Sequence, residues 1–217
     1  MRRIATPSSL LWLELLVLYV GAPVGLEVYS GPRWTIHLCL WLCTAYAIVQ
    51  LSQAPDFSWR RLWHGNGWPD GSRRRAITRF LLLAPLLATL TWYLVPDRFL
   101  SFPQTRPGLW ALVMLLYPLL SVVPQELVFR SFFFARYQTL LPQSTLFIAA
   151  NALLFGFSHI MFNNWVAPTL CAIGGLIFAT SYARHRSLKS AALEHAAYGC
   201  LIFTLGLGRY FFSGGIH

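Results

Sequence analysis

Three short stretches carry side chains able to do acid–base chemistry. "QELVFR" (residues 125–130) holds Glu126 and Arg130, "FGFSH" (155–159) holds His159, and "LEHAAYG" (193–199) holds Glu194 and His195. Glu126 and Arg130 stand at i and i+4, hence on one helix face, as do Phe155 and His159. Their surroundings set them apart: residues 107–125 and 137–183 contain no Asp, Glu, Lys or Arg. Taken singly, each has a plain packing role, an ion pair within a helix or a buried histidine. Three separate segments each presenting an acid or an imidazole are harder to reduce to packing. A carboxylate in low dielectric is well suited to take a proton from water. Two imidazoles can hold that water and donate to a developing oxyanion. Glu126, His159 and His195 are equally a His₂Glu set of the kind that ligates catalytic zinc, and a proton relay in a transporter uses the same residue types. The residues alone leave these three chemistries open.

The elements that must position them are membrane helices. Of 217 residues, 56% are hydrophobic and 11% charged, against about 25% charged in soluble domains. Apolar blocks at 9–28, 34–51, 78–96, 108–135, 145–163, 166–183 and 188–212 each approach the roughly 20 residues that cross a bilayer. The expected fold is all-α, a polytopic bundle of seven spans, or eight if the longest or last is broken. The first block follows "MRRIATPSS" without a clean small-residue cleavage pattern and reads as a retained helix. The first three spans are Leu-rich. From about residue 118 the spans carry Glu126, Arg130, Asn151, His159, Glu194 and His195, with small residues such as Gly174 and Gly175 that permit close helix approach. An intramembrane ionisable group costs about 2.5–3.5 kcal/mol on insertion scales, so the second half is where function is expected.

The net charge of +10 reports topology rather than nucleic-acid binding. With the N-terminus cytoplasmic, the inner set is Arg2, Arg3, Arg60, Arg61, Arg73, Arg74, Arg75, Arg79, Arg136, Arg184, Arg186 and Lys189. The outer set is Arg33, Arg98, Arg106 and Arg209, with Arg130 inside a helix. Twelve against four satisfies the positive-inside bias. The one long loop, 52–75, interleaves Trp59, Trp63 and Trp68 with arginines, a pattern suited to lipid headgroups. Glu14 and His37 read as interfacial. Cys39, Cys43, Cys171 and Cys200 read as small apolar residues, with no zinc-like Cys/His spacing. Transport is disfavoured because the halves show no repeat symmetry.

"QELVFR" resembles the EExxxR motif of the CPBP family of intramembrane proteases, which includes CAAX prenyl endopeptidases and bacteriocin-processing proteins. "FGFSH" is similar to that family's FxxxH motif, and "EHAAYG" to its third motif, a histidine followed four residues later by a small or amide residue. The resemblance covers roughly residues 75–212. It implies a protease-like core there, within a single integral membrane domain spanning 1–217. It further implies an endopeptidase of glutamic type acting near the membrane anchor or C-terminus of a membrane or lipidated substrate, in a bacterial inner membrane. By position, Glu126 and Arg130 match the second glutamate and the arginine of motif one, and His159 and His195 match the other two histidines. No cofactor is then expected; in a zinc-dependent version the ligands would be Glu126, His159 and His195.

Two positions depart from the pattern. Gln125 stands where the first glutamate, credited with activating water, is usual, and an amide is no base. Gly199 stands where an asparagine is often found. The favoured expectation is that Glu126 serves as base, with Pro124 distorting the helix to turn a different face to the pocket. A non-catalytic relative that binds or assembles its target, or a substituted form of an active enzyme, are the alternatives. Asn163 or Asn164 is a candidate stand-in for the missing asparagine. At about 1.5 Å per residue, Glu126 and His195 fall roughly 10–15 Å from the cytoplasmic face and His159 roughly 20 Å, so a kink must bring them level.

Overall fold

The computed structural model describes residues 7–29, 31–54, 57–66, 71–142 and 144–211. Arg2, Arg3, Trp68 and the end of the last expected span at 212 lie outside the described residues. The chain forms α1 (Ser8–Val28), α2 (Trp34–Ser52), a short α3 (Trp59–His64), α4 (Ser72–Leu94), a short α5 (Ser101–Thr105) and α6 (Pro107–Tyr137). Next come α7 (Ser144–Phe157), α8 (Val166–His185) and α9 (Leu188–Leu205). Among the described residues there is no strand. Among the described residues, six helices are long and apolar enough to cross a membrane: α1, α2, α4, α6, α8, and α7 with the turn after it to Phe162. The expected seventh, α9, has 18 residues but carries Lys189, Glu194 and His195, which lower its hydropathy.

Large apolar side chains point outward. Leu13, Leu42, Leu82, Leu115 and Leu153 are all exposed, a surface that water would not support and lipid does. With lipid outside, apolar burial gives little drive between helices, so close packing of small residues holds them together. At the α7–α8 contact, a methyl group on Gly156 would lie 2.7 Å from the Ala172 Cβ and from the Pro168 carbonyl oxygen. On Gly175 it would lie 3.1 Å from the Ala152 carbonyl oxygen. The protein is an integral membrane helix bundle.

The helix that carries motif one is irregular for a sequence reason. Pro118 and Pro124 lack an N–H and clash with the carbonyl four residues back. The helix stays continuous by widening into a π turn at Pro118–Val122, which holds the Leu120 carbonyl four residues before Pro124; a second π stretch, Leu127–Phe132, follows α-helical Val123–Glu126. A π turn inserts a residue per turn and rotates the residues beyond it about the helix axis. All six residues of the second π stretch are buried. Its Val128 carbonyl accepts from the Tyr19 hydroxyl at 2.9 Å, and its Phe129 carbonyl accepts from Asn151 Nδ2 at 2.7 Å.

Glu14, expected at the interface, is drawn into a clamp between helices. It accepts from Arg136 Nε at 2.9 Å, from the Tyr137 hydroxyl at 2.7 Å and from the Tyr46 hydroxyl at 3.0 Å. Three helices, α1, α2 and α6, are joined there. Above it, Tyr19 packs edge-on against Phe129, Phe133 and Tyr137, so the first helix is anchored to the back of motif one.

Candidate active site

Glu126 is fully buried, and its two carboxylate oxygens face different partners. Oε1 accepts from His195 Nδ1 at 2.9 Å, across α6 and α9. Oε2 lies 3.3 Å from Arg130 Nε, one turn along the same helix. Arg130 is itself fully buried; its Nη1 donates to Asn151 Oδ1 at 2.8 Å, and its guanidinium lies 4.8 Å from the Phe155 ring centre. A charge pair removed from water is tolerable only with its remaining valences met, and Asn151 meets one of them while tying α7 to α6. The sequence marks Asn151 as polar but assigns it no partner.

His195 is stacked on Phe178, centres 4.8 Å apart at 15°, and stands edge-on to Phe155 at 5.5 Å. With Nδ1 donating to Glu126, the neutral imidazole carries its lone pair on Nε2. That nitrogen lies 3.2 Å from the Tyr117 hydroxyl.

His159 comes from the turn beyond α7, not from its helical body. Its backbone (φ −100°, ψ 8°) leads into the 3₁₀ turn Ile160–Phe162. Nδ1 donates to the Phe155 carbonyl at 2.7 Å, with the Ser158 hydroxyl at 3.2 Å. Phe155 is thus shared: its ring stands edge-on to both imidazoles, at 5.0 Å to His159 and 5.5 Å to His195.

A cavity of about 700 Å³ runs from these side chains between α1, α2 and α6. Tyr117, Gln125, Ser158, His159 and His195 supply polar groups to its wall, and most of the remainder is apolar, including Leu18, Leu26, Leu112 and Phe203. Gln125 faces it where Glu126 does not. Gln125 Nε2 donates to the Ser121 hydroxyl at 2.7 Å, and its Oε1 makes no hydrogen bond to the protein. Consecutive residues of α6, about 100° apart around the helix, thus address the cavity and the protein interior.

The other candidates go elsewhere. Glu194 pairs with Arg79 of α4, which also donates to the Ser181 hydroxyl at 3.0 Å. Asn163 is exposed, in left-handed backbone (φ 58°). Asn164 Nδ2 donates to the carbonyls of Phe162 and Tyr210, and its Oδ1 accepts from the Ala167 amide. Among the described residues, no group of three His, Cys, Asp or Glu side chains is arranged to hold a metal ion. Glu126 Oε1 and His195 Nδ1 bond to each other, and His159 Nδ1 is held by the Phe155 carbonyl.

The family described as Type II CAAX prenyl endopeptidase Rce1-like matches residues 107–201, just under half of the chain and the part that carries all three motifs. Over that stretch the chain is similar to the CAAX prenyl endopeptidases, the resemblance that the motifs led us to expect. No curated protein and no solved structure matches it.

Proposed function

We propose that this protein is an intramembrane endopeptidase that hydrolyses a peptide bond near the membrane anchor or C-terminus of a membrane or lipidated substrate. The observation that carries the proposal is the Glu126–His195 pair: a carboxylate sealed in the interior holds Nδ1 of an imidazole whose Nε2 faces the cavity. The pairing alters the part expected of Glu126. Fully enclosed, it does not meet water directly; it fixes the tautomer of His195 and stabilises the imidazolium that forms.

Water held between His195 Nε2 and His159 gives its proton to His195 as its oxygen attacks the substrate carbonyl. The oxyanion that develops takes a hydrogen bond from the Gln125 amide, and His195 returns the proton to the departing nitrogen. Arg130 is a positioning residue, neutralising Glu126 and holding it on Asn151. The apolar cavity suits a substrate segment or lipid chain entering from the bilayer. No metal takes part in these steps. The same reading treats the chain as one integral membrane domain with its core at 75–212. The N-terminus is cytoplasmic and the membrane is a bacterial inner membrane, as the twelve-to-four basic asymmetry and the family resemblance suggest.

A second reading has one observation in its favour: the cavity presents an amide at the motif position usually held by the water-activating glutamate. A membrane binding or assembly factor would keep this fold without hydrolysis. Single replacement of Gln125, Glu126, His159 and His195, with cleavage of quenched farnesylated and geranylgeranylated CAAX-type peptides as readout, separates the two. Loss of cleavage on Glu126→Ala and His195→Ala supports the protease. Cleavage that survives both sinks the mechanism, and loss to chelators with recovery on zinc replaces it with a metal-dependent one.

A further inference from the structure

We propose that the Tyr117 hydroxyl is a catalytic hydrogen-bond donor to the reacting oxygen, seated beside His195 because residue 199 has no side chain. This rests on the hydrolytic reading above and adds to it a residue outside the three motifs.

The first observation is an exclusion. A Cβ on Gly199 would lie 2.3 Å from the Tyr117 hydroxyl oxygen and 2.4 Å from its Cε1. Distances under 3 Å between such atoms are not tolerated, so any larger residue at 199 displaces the Tyr117 ring. Residue 199 is i+4 from His195 and therefore shares its helix face; a polar side chain there would reach the space that Tyr117 fills from α6.

The second observation is placement. The Tyr117 hydroxyl is 3.2 Å from His195 Nε2, and Tyr117, like His195, lines the cavity. The ring is held by edge-on contact with Phe203, centres 5.1 Å apart. Tyr117 is the last residue before the π turn that Pro118 opens.

The third is electronic. At rest Nε2 carries a lone pair, because Nδ1 donates to Glu126, and the tyrosine O–H donates to it. The attacking water displaces the tyrosine O–H from that lone pair and transfers its own proton there, after which Nε2 is a donor and no longer accepts. The tyrosine O–H, keeping its own proton, is released to the oxygen on which the carbonyl electron pair settles. As the C–N bond breaks, the proton on Nε2 passes to the leaving nitrogen, the carbonyl re-forms and the Tyr117 hydrogen bond returns to Nε2. Water adds across the peptide bond and no other reactant is needed.

The test uses the full-length protein in detergent or liposomes with the quenched farnesylated peptide. Tyr117→Phe should lower kcat about 10²-fold, the scale of losing one oxyanion donor, with KM within about twofold. Gly199→Asn alone should lose activity through collision with the Tyr117 ring. Tyr117→Ala combined with Gly199→Asn, which removes the ring and supplies an amide donor from the His195 face, should recover to within about tenfold of the parent, a rescue a merely structural tyrosine does not permit. Modification of His195 by diethyl pyrocarbonate, followed by mass spectrometry, should be faster in Tyr117→Phe. Parent cleavage that Tyr117→Phe leaves unchanged overturns this assignment while the protease reading stands. A parent that cleaves neither prenylated peptide counts against the protease reading, and this assignment falls with it.

Discussion

Glu126 Oε1 and His195 Nδ1 are 2.9 Å apart, joining two helices whose contacting residues are 69 positions distant in the chain. The carboxylate is fully buried, and the imidazole it holds lines the cavity. Glu126→Gln keeps the shape but offers an amide that can donate to Nδ1, favouring the tautomer with its proton on Nε2. Cleavage should then fall on the order of 10⁴-fold, as removal of the carboxylate behind a catalytic histidine does elsewhere. Substrate KM should hardly change. The check is steady-state hydrolysis of the prenylated peptide, alongside a thermal melt to show that the fold is kept. Equal activity in the two proteins would show that the pair is structural.

Gln125 has an amide at the cavity wall whose Nε2 is oriented by Ser121. Gln125→Ala should cut kcat about 10²-fold by removing an oxyanion donor. Gln125→Glu replaces that donor by a second carboxylate next to Glu126 and should also lower kcat at neutral pH. A rise in rate on Gln125→Glu is the informative opposite. It would mean that the chain has a weakened form of a two-glutamate site, with the base at 125.

Much of the bundle and part of the site are legible in the residues alone. The spans can be read because length and hydropathy decide what crosses a bilayer, and the i,i+4 spacing puts Glu126 beside Arg130 wherever their helix lies. Which neighbour faces which way is beyond the sequence. Straight-helix counting cannot register two π turns, although Pro118 marks where the first begins. The depth mismatch of His159 has a related origin: it sits on the turn after α7 and not within the helix. Tyr117 gives no signal, since a tyrosine in an apolar span is ordinary until the glycine that admits it is known. Asn151 is visible as a polar residue, but its two partners lie on another helix.

The orientation expected from the basic residues can be checked without any substrate. Single cysteines at Arg60 and at Asp97 should differ in reactivity to a membrane-impermeant maleimide applied to intact bacterial cells expressing the chain. The native cysteines are first replaced by alanine. Labelling at 97 without permeabilisation, and at 60 only after it, is the expected pattern for a cytoplasmic N-terminus. The reverse pattern overturns the assigned topology.

The buried pair itself makes the sharpest statement about stability. Arg130→Met strands the Glu126 carboxylate with His195 alone, and removal of one member of a buried pair typically costs about 3–5 kcal/mol. Asn151→Leu is milder: it leaves Arg130 Nη1 and the Phe129 carbonyl without their partner, at about 1–3 kcal/mol. The double replacement Glu126→Leu with Arg130→Met removes both charges, and well-packed apolar pairs often match the ion pair they replace. The double variant should therefore melt closer to the parent than Arg130→Met does, while cleaving nothing. Thermal unfolding in detergent, set beside peptide hydrolysis, separates the two roles of Glu126. If the double variant is as unstable as the single one, the cost arises from lost shape around Phe155 and Phe178 and not from an unpaired charge.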